Sequence, residues 1–192
     1  MDGFEDALNI YTETWFKIDQ LYRKFIFHLK KSSQVTLLGD IGDLIENKYG
    51  NDYLLRLNDA WQKQVDQVSE WKSVNVPSQR DFYKNYVQEL RSKGKKCVVI
   101  VSDALRYEIG EELRQRIRER DKFDCKIKPI LSSLPSYTQL GMASLLPEGD
   151  LAILDPSKPT VMHAGASTAG IENRRKVLGA NIGEDRSCAY YT

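Results

Sequence analysis

Histidine is scarce in this sequence: His28 and His163 are the two it has in 192 residues. Few imidazoles limit how complete a metal site these residues could hold by themselves. Cysteine is scarce too. Cys97, Cys125 and Cys188 are odd in number and show no CxxC spacing. That excludes a disulfide framework and argues against a thiolate zinc site. Such usage suits a reducing cytoplasm, which is the expected location. No run approaches the roughly 18 apolar residues of a membrane span, and no h-region follows the N-terminus, so neither a membrane nor a secretory route is expected. An excess of one charge is also missing. The formal net charge of +1 provides no global field that argues for or against nucleic acid. Residues 4–92 hold no Gly-rich phosphate loop, and the sequence has no internal repeat and no low-complexity tract. What is present, 41% hydrophobic and 29% charged residues, is enough for a real core in one large or two small domains.

Residues 4–92 read as helical. Tyr11, Trp15, Ile18, Leu21, Tyr22, Phe25, Ile26 and Leu29 recur at spacings of three and four, an apolar stripe on one long helix. Lys30 and Lys31 suit the negative end of its dipole, and Ser32-Ser33 breaks the pattern. A second helix is expected over residues 35–49, with Leu37, Leu38, Ile41, Leu44 and Ile45 buried and Gly50-Asn51-Asp52 as its stop. Leu54, Leu57, Trp61, Val65, Val68 and Trp71 mark a third. Ser78 caps a fourth through Phe82, Tyr83, Tyr86, Val87 and Leu90, which Gly94 ends. The many aromatics here read as packing of helix on helix rather than as a binding surface.

At Lys95 the pattern changes. Val98-Val99-Ile100-Val101 is a continuous β-branched run, the signature of a strand buried on both faces. Leu105, Ile109, Leu113 and Ile117 then follow at i+4 steps among Arg and Glu, an amphipathic helix over residues 105–120. Phe123, Cys125 and Ile127 alternate with Asp124, Lys126 and Lys128, as in a half-exposed strand. Strand, helix and strand make a βαβ unit, whose carboxyl edge is where open α/β sheets bind ligands. Beyond Pro147, residues 151–154 and 160–163 read as two short strands joined by a turn at 155–159, and residues 171–178 as a short helix. The chain stops at Tyr190-Tyr191-Thr192 without a closing element and reads as part of something longer.

Two residues would lie on that sheet edge. Asp103 follows the apolar run, and Thr138 stands where a loop becomes a helix, 35 residues later. Taken singly, each is read more economically as a helix N-cap. The chemical alternative makes Asp103 a hard oxygen ligand for a divalent cation, and Thr138 a hydroxyl nucleophile that needs activation.

The surrounding strings favour the chemical alternative. Val-Ile-Val-Ser-Asp103-Ala-Leu-Arg-Tyr-Glu108 and Leu-Pro-Ser-Tyr-Thr138-Gln-Leu-Gly-Met-Ala-Ser-Leu-Leu-Pro147 resemble the two signatures of the PglZ domain family. Gly165-Ala-Ser-Thr-Ala-Gly-Ile-Glu-Asn-Arg174 is similar to its next block, and Phe82-Tyr-Lys-Asn-Tyr-Val to the stretch before its first strand. The resemblance runs from about Phe82 onward, and the helical half resembles the lead-in of type A members. It implies an alkaline phosphatase superfamily protein of BREX or Pgl phage-resistance systems. The implied fold class is α/β, an incomplete parallel sheet with helices over residues 94–192, preceded by an all-α region over residues 1–93. The resemblance also implies a phosphohydrolase using divalent metals, usually zinc. Asp103 and Thr138 would be metal ligands, and Thr138 the nucleophile. Arg106, Asn173 and Arg174 are candidate substrate contacts. The implied partners are a phosphorylated substrate or nucleic acid, and other defence proteins docked on the helical region. A nuclease or a non-catalytic scaffold remains as an alternative.

This sequence lacks the downstream Asp and His blocks that complete the superfamily's two-metal site. After Thr138 come only His163 and the scattered Asp150, Asp155 and Asp185. The expectation is therefore an N-terminal piece whose metal site is finished by residues beyond Thr192, and which is inactive alone.

Overall fold

The long N-terminal stripe forms helix, but not one uniform helix. The computed structural model describes residues 3–32, 35–155 and 157–182. Within it, α1 (Phe4–Ile10) passes through a widened π turn (Tyr11–Trp15) into α2 (Phe16–Lys31). The Thr12 hydroxyl donates to the carbonyls of Leu8 and Asn9 at 3.0 and 3.1 Å, competing for the helix's own acceptors beside the π turn. α3 (Val35–Asn47) follows, and a second π segment (Lys48–Leu54) leads directly into α4 (Leu55–Val65). Gly50-Asn51-Asp52 is thus not a stop. Tyr49 and Tyr53, on either side, are anchored: Tyr49 stacks on Tyr22 at 3.6 Å, and the Tyr53 hydroxyl donates to the Trp15 carbonyl at 3.3 Å. Such packing overrides a local breaker signal. The third helix, by contrast, ends earlier than expected. Trp71 lies beyond it yet still packs edge-on against Phe4 and Trp61. The expected burial of Leu37 and Leu38, the Ser33 break, Asp185, Cys188 and the Tyr190–Thr192 end lie outside the residues described at side-chain level.

α6 (Tyr107–Glu119) joins these helices, and the reason is electrostatic as well as apolar. Arg23 of α2 donates from Nε to both carboxylate oxygens of Glu108 at 3.0 Å, and from Nη2 to Glu112 at 2.5 Å. Tyr107 meets Phe16 edge-on at 5.4 Å. Two compact units result: Met1–Asn75 with Ala104–Pro129, and Val76–Asp103 with Ile130–Thr192. The expected division between residues 93 and 94 differs from this one, because the pairing with α2 recruits α6 and its flank to the helical unit.

The βαβ reading needs correction. Neither residues 97–101 nor 123–127 form a strand. Val98 and Ile100 are 85% and 88% exposed, Val99 and Val101 about half as much. A strand requires neighbours for its backbone donors and acceptors, and among the described residues this run has no ladder partner. Residues 124–129 keep a strand-like alternation of exposed and half-buried positions, with Ile127 facing Gly110 of α6. In place of the expected parallel sheet, the described strands form a small antiparallel one: β1 (Leu151–Ala152), β2 (Met162–His163) and β3 (Ala166–Ser167) in that order. Leu151 pairs with His163, and His163 with Ala166. The two strands expected around 151–154 and 160–163 are therefore present, though shorter.

In the second unit, Ser78 caps as expected. Its Oγ accepts from the Arg80 amide, opening a 3₁₀ turn (Gln79–Asp81). A π segment (Tyr83–Gln88) and α5 (Glu89–Ser92) follow, ending at Gly94 with φ +68°. The core of this unit lies beneath α7 (Thr138–Ser144), where Leu140 and Ala143 pack on Val161, with Tyr137 and Leu151 at the margin. Positions i and i+3 of a helix share a face, so this burial fixes the rotation of α7 on the unit. α8 (Gly170–Ile182) completes it. Among the described residues, no helix is long and apolar enough to cross a membrane.

Candidate functional site

The backbone before α7 determines where Thr138 stands. Tyr137, in an extended conformation, is the N-cap, and no side chain caps the helix. Thr138 is thus the first helical residue, and its hydroxyl does not cap α7. It lies instead 3.2 and 3.4 Å from the two carboxylate oxygens of Asp103, to which it donates. Asp103 is not a cap either. The next helix, α6, starts four residues later with Arg106 as its uncapped N-cap. Ala104, directly after Asp103, has φ +51°, a left-handed conformation that turns the chain away. Both cap readings therefore fall, and the two residues singled out in the sequence meet each other at an exposed position.

The remaining predicted residues are placed elsewhere. Arg106 belongs to the helical unit, where its Nη2 lies 3.7 Å from Asp19. Asp19 is buried and accepts from the hydroxyls of Tyr11 and Tyr49 at 2.5 and 2.8 Å. Burial, then the hydrogen bond to Asp19, pushes the Tyr49 hydroxyl up to about 12 and raises Tyr11 as well, so both remain donors. Arg106 is thus engaged by a buried carboxylate. Asn173 Nδ2 donates to the Ala169 carbonyl at 2.7 Å, and Arg174 Nη1 to the Thr168 carbonyl at 3.2 Å. Both serve the loop that opens α8. His163 is buried, its Nε2 bonded to the Pro147 carbonyl at 2.7 Å. It packs so tightly on Gly149 that a Cβ there would come within 2.3 Å of the ring. That is a structural role.

Gln79 was not singled out in the sequence. Its Nε2 donates to the Gly141 carbonyl of α7 at 3.2 Å, and its Oε1 accepts from the Ser133 amide at 3.1 Å. Nothing in its sequence surroundings marked it, except its place directly after a capping Ser.

As a metal centre the residues present are insufficient. Asp103 and Thr138 offer hard oxygen donors of the right class. Among the described residues, however, no group of three or more His, Cys, Asp or Glu side chains converges. Two such ligands do not enclose a divalent ion, which takes four or more. What the pair can do unaided is orient the Thr138 hydroxyl. Its hydrogen points to Asp103, so oxygen lone pairs remain turned toward solvent.

Comparison with known proteins matches residues 82–192 to the BREX system PglZ alkaline phosphatase-like domain. The chain is 39% identical over 191 residues to the alkaline phosphatase-like protein BrxZ of Escherichia coli O9:H4 (strain HS), covering 93% of this chain and 22% of that protein. It is 31% identical over 187 residues to the alkaline phosphatase-like protein PglZ of Bacillus cereus (strain H3081.97), covering 96% of this chain and again 22% of the relative. The chain thus spans about a fifth of the length of the curated relatives it matches. No solved structure matches it.

Proposed function

Because the chain belongs to the PglZ family of BREX alkaline phosphatase-like domains, we propose that it carries the nucleophile half of a phosphohydrolase site in a cytoplasmic phage-defence protein. Thr138 is the nucleophile and Asp103 its orienting partner and metal ligand. The observation that carries this reading is the Thr138 hydroxyl set on the Asp103 carboxylate instead of on its own helix. A divalent cation such as zinc, held there with ligands from the remaining length of the family protein, would lower the hydroxyl's pKa and neutralise charge on the phosphoryl group.

The chain's own residues contribute orientation. With the hydroxyl hydrogen directed at Asp103, Oγ1 presents a lone pair to a phosphorus atom approaching from solvent. Attack forms the Oγ1–P bond as the P–O bond to the leaving group breaks; the hydroxyl proton passes to solvent by way of the Asp103 carboxylate it faces, and the departing alkoxide takes a proton from solvent to leave as the alcohol. Water then cleaves Oγ1–P, releasing inorganic phosphate and restoring Thr138. The sheet expected to carry residues 97–101 as a parallel strand would be completed in the full-length protein. The helical unit would dock other proteins of the defence system.

The test uses the full-length protein, a metal-replete buffer, and two substrates, an aryl phosphate monoester and a bis-aryl phosphate diester. Turnover of the monoester, lost in both Thr138→Ala and Asp103→Ala, is the expected result. Turnover of the diester alone would make the protein a nuclease. Wild-type turnover in both variants would overturn the site, and no turnover by the wild type under any metal would favour a scaffold. The 192 residues alone are expected to hydrolyse neither ester.

A further inference from the structure

We propose that Gln79, which lies outside the family match at 82–192, is a positioning residue for the Thr138 turn. The inference rests on the assignment of Thr138 as nucleophile.

The turn that delivers Thr138 runs from Leu131 to α7, and its Leu134–Pro135 peptide is cis. Leu134, Pro135 and Ser136 are exposed, and so is Thr138. One short 3₁₀ turn supplies several of the contacts that hold this stretch. Leu131 N donates to the Pro77 carbonyl and Gln79 N to the Leu131 carbonyl, both at 2.8 Å, forming a parallel bridge between Ser78 and Leu131. That fixes the start of the turn. The Gln79 side chain then grips both sides of it with one amide. Its oxygen accepts from Ser133 N, five residues before Thr138, and its nitrogen donates to Gly141 O, three residues after.

A primary amide on a side chain of this length carries its donor and its acceptor on separate atoms, so it can serve both partners at once. A carboxylate has no donor for Gly141, and an ammonium has no acceptor for Ser133. Gly141 also has its missing Cβ 3.5 Å from Gln79 Nε2, in ordinary contact, so the amide lies directly against α7. Ser133 is held a second time, through Oγ to the buried Ser144 Oγ at 2.7 Å. The neighbouring Arg80 reaches past α7 to the Gly149 carbonyl at 3.1 Å. The 3₁₀ turn therefore contacts the chain before, within and after the helix that bears the nucleophile. Because Thr138 attacks through one hydroxyl, a displacement of its backbone by a fraction of an ångström is felt in turnover more than in substrate binding.

The test is kinetic, on the full-length protein with the monoester. Gln79→Leu keeps the volume and removes both hydrogen bonds, and is expected to lower kcat about tenfold with KM within about twofold. Gln79→Glu, retained as a second variant should the first unfold, keeps the acceptor and loses the donor, and should fall between. In a Thr138→Ala background, Gln79→Leu should leave the residual turnover unchanged while still lowering the melting temperature. Ser133→Ala removes only the Oγ bond to Ser144 and keeps the Ser133 amide on Gln79, so it should lower kcat less than Gln79→Leu does. Wild-type kcat in Gln79→Leu would overturn the proposal, as would an equal further loss on the Thr138→Ala background. If Thr138→Ala itself turned over like wild type, the nucleophile assignment would fall instead, a separate outcome.

Discussion

Glu108 and Asp103 lie five residues apart in one stretch and have opposite environments. Glu108 is completely buried, and Arg23 donates to both its oxygens. Asp103 is exposed and faces a hydroxyl. A buried carboxylate must be paired, and once paired it is committed to structure. An exposed carboxylate beside a poised hydroxyl has little to contribute to stability and can meet a reagent from solvent. The change from one kind to the other occurs across Ala104, where one compact unit ends and the next begins.

That contrast can be broken or sharpened by mutation. The largest effect is expected on the exposed side. Thr138→Ala in the full-length protein should reduce kcat at least about a thousandfold, some 4 kcal/mol of barrier, while changing unfolding free energy by less than about 0.5 kcal/mol. A matching loss of stability would place Thr138 with the structural residues instead. On the buried side, Arg23→Ala should cost about 3 kcal/mol in urea unfolding, because it leaves Glu108 buried and unpaired. A cost under about 1 kcal/mol would mean that Glu108 is reached by water. Gly149→Ala, which drives a methyl into the His163 ring, should cost about 2 kcal/mol by overpacking. It tests whether the packing of His163 on Gly149 is as fixed as the helical unit.

The smallest effect is pH-dependent. Hydrogen bonds from Arg23 and then Arg116 hold the Glu112 carboxyl down to about 2, against 4.5 for the unperturbed group. A depressed folded-state pKa gives stability that is present above 4.5 and lost as pH falls toward 2. Acid titration of the chain should show that loss, and Glu112→Gln should remove that part of it. Since Arg23 and Arg116 are substantially exposed, solvent screening keeps the effect below that of Arg23→Ala.

The helices of the helical unit were legible in the sequence because a 3.6-residue period survives context, but which positions are covered was not: Ile18, Leu21, Ile41 and Leu44, expected on buried faces, are exposed. Phe4, Trp61 and Trp71 do pack together, and Ser78 and Gly94 punctuate the chain where their chemistry requires. The π segment at Lys48–Leu54 was not legible, since Tyr49 and Tyr53 are anchored there by partners far along the chain. The strand at 97–101 was misread for this chain for a related reason. Composition reveals that a segment can be a buried strand, but not which neighbours will lie beside it. The site was half legible. Asp103 and Thr138 stood out through the strings around them, whereas Arg106 gave no sign that Asp19 and Tyr49 would engage it. Gln79 gave none either, because a staple is defined by partners 54 and 62 residues away.

The exposed Val98 and Ile100 carry a practical consequence for anyone handling these residues alone. A short β-branched run of low charge with open backbone edges is a template for pairing with copies of itself. Concentrated samples should scatter light and bind thioflavin before the helices melt. Val98→Lys should delay both, by placing a charge where each copy would stack on the next.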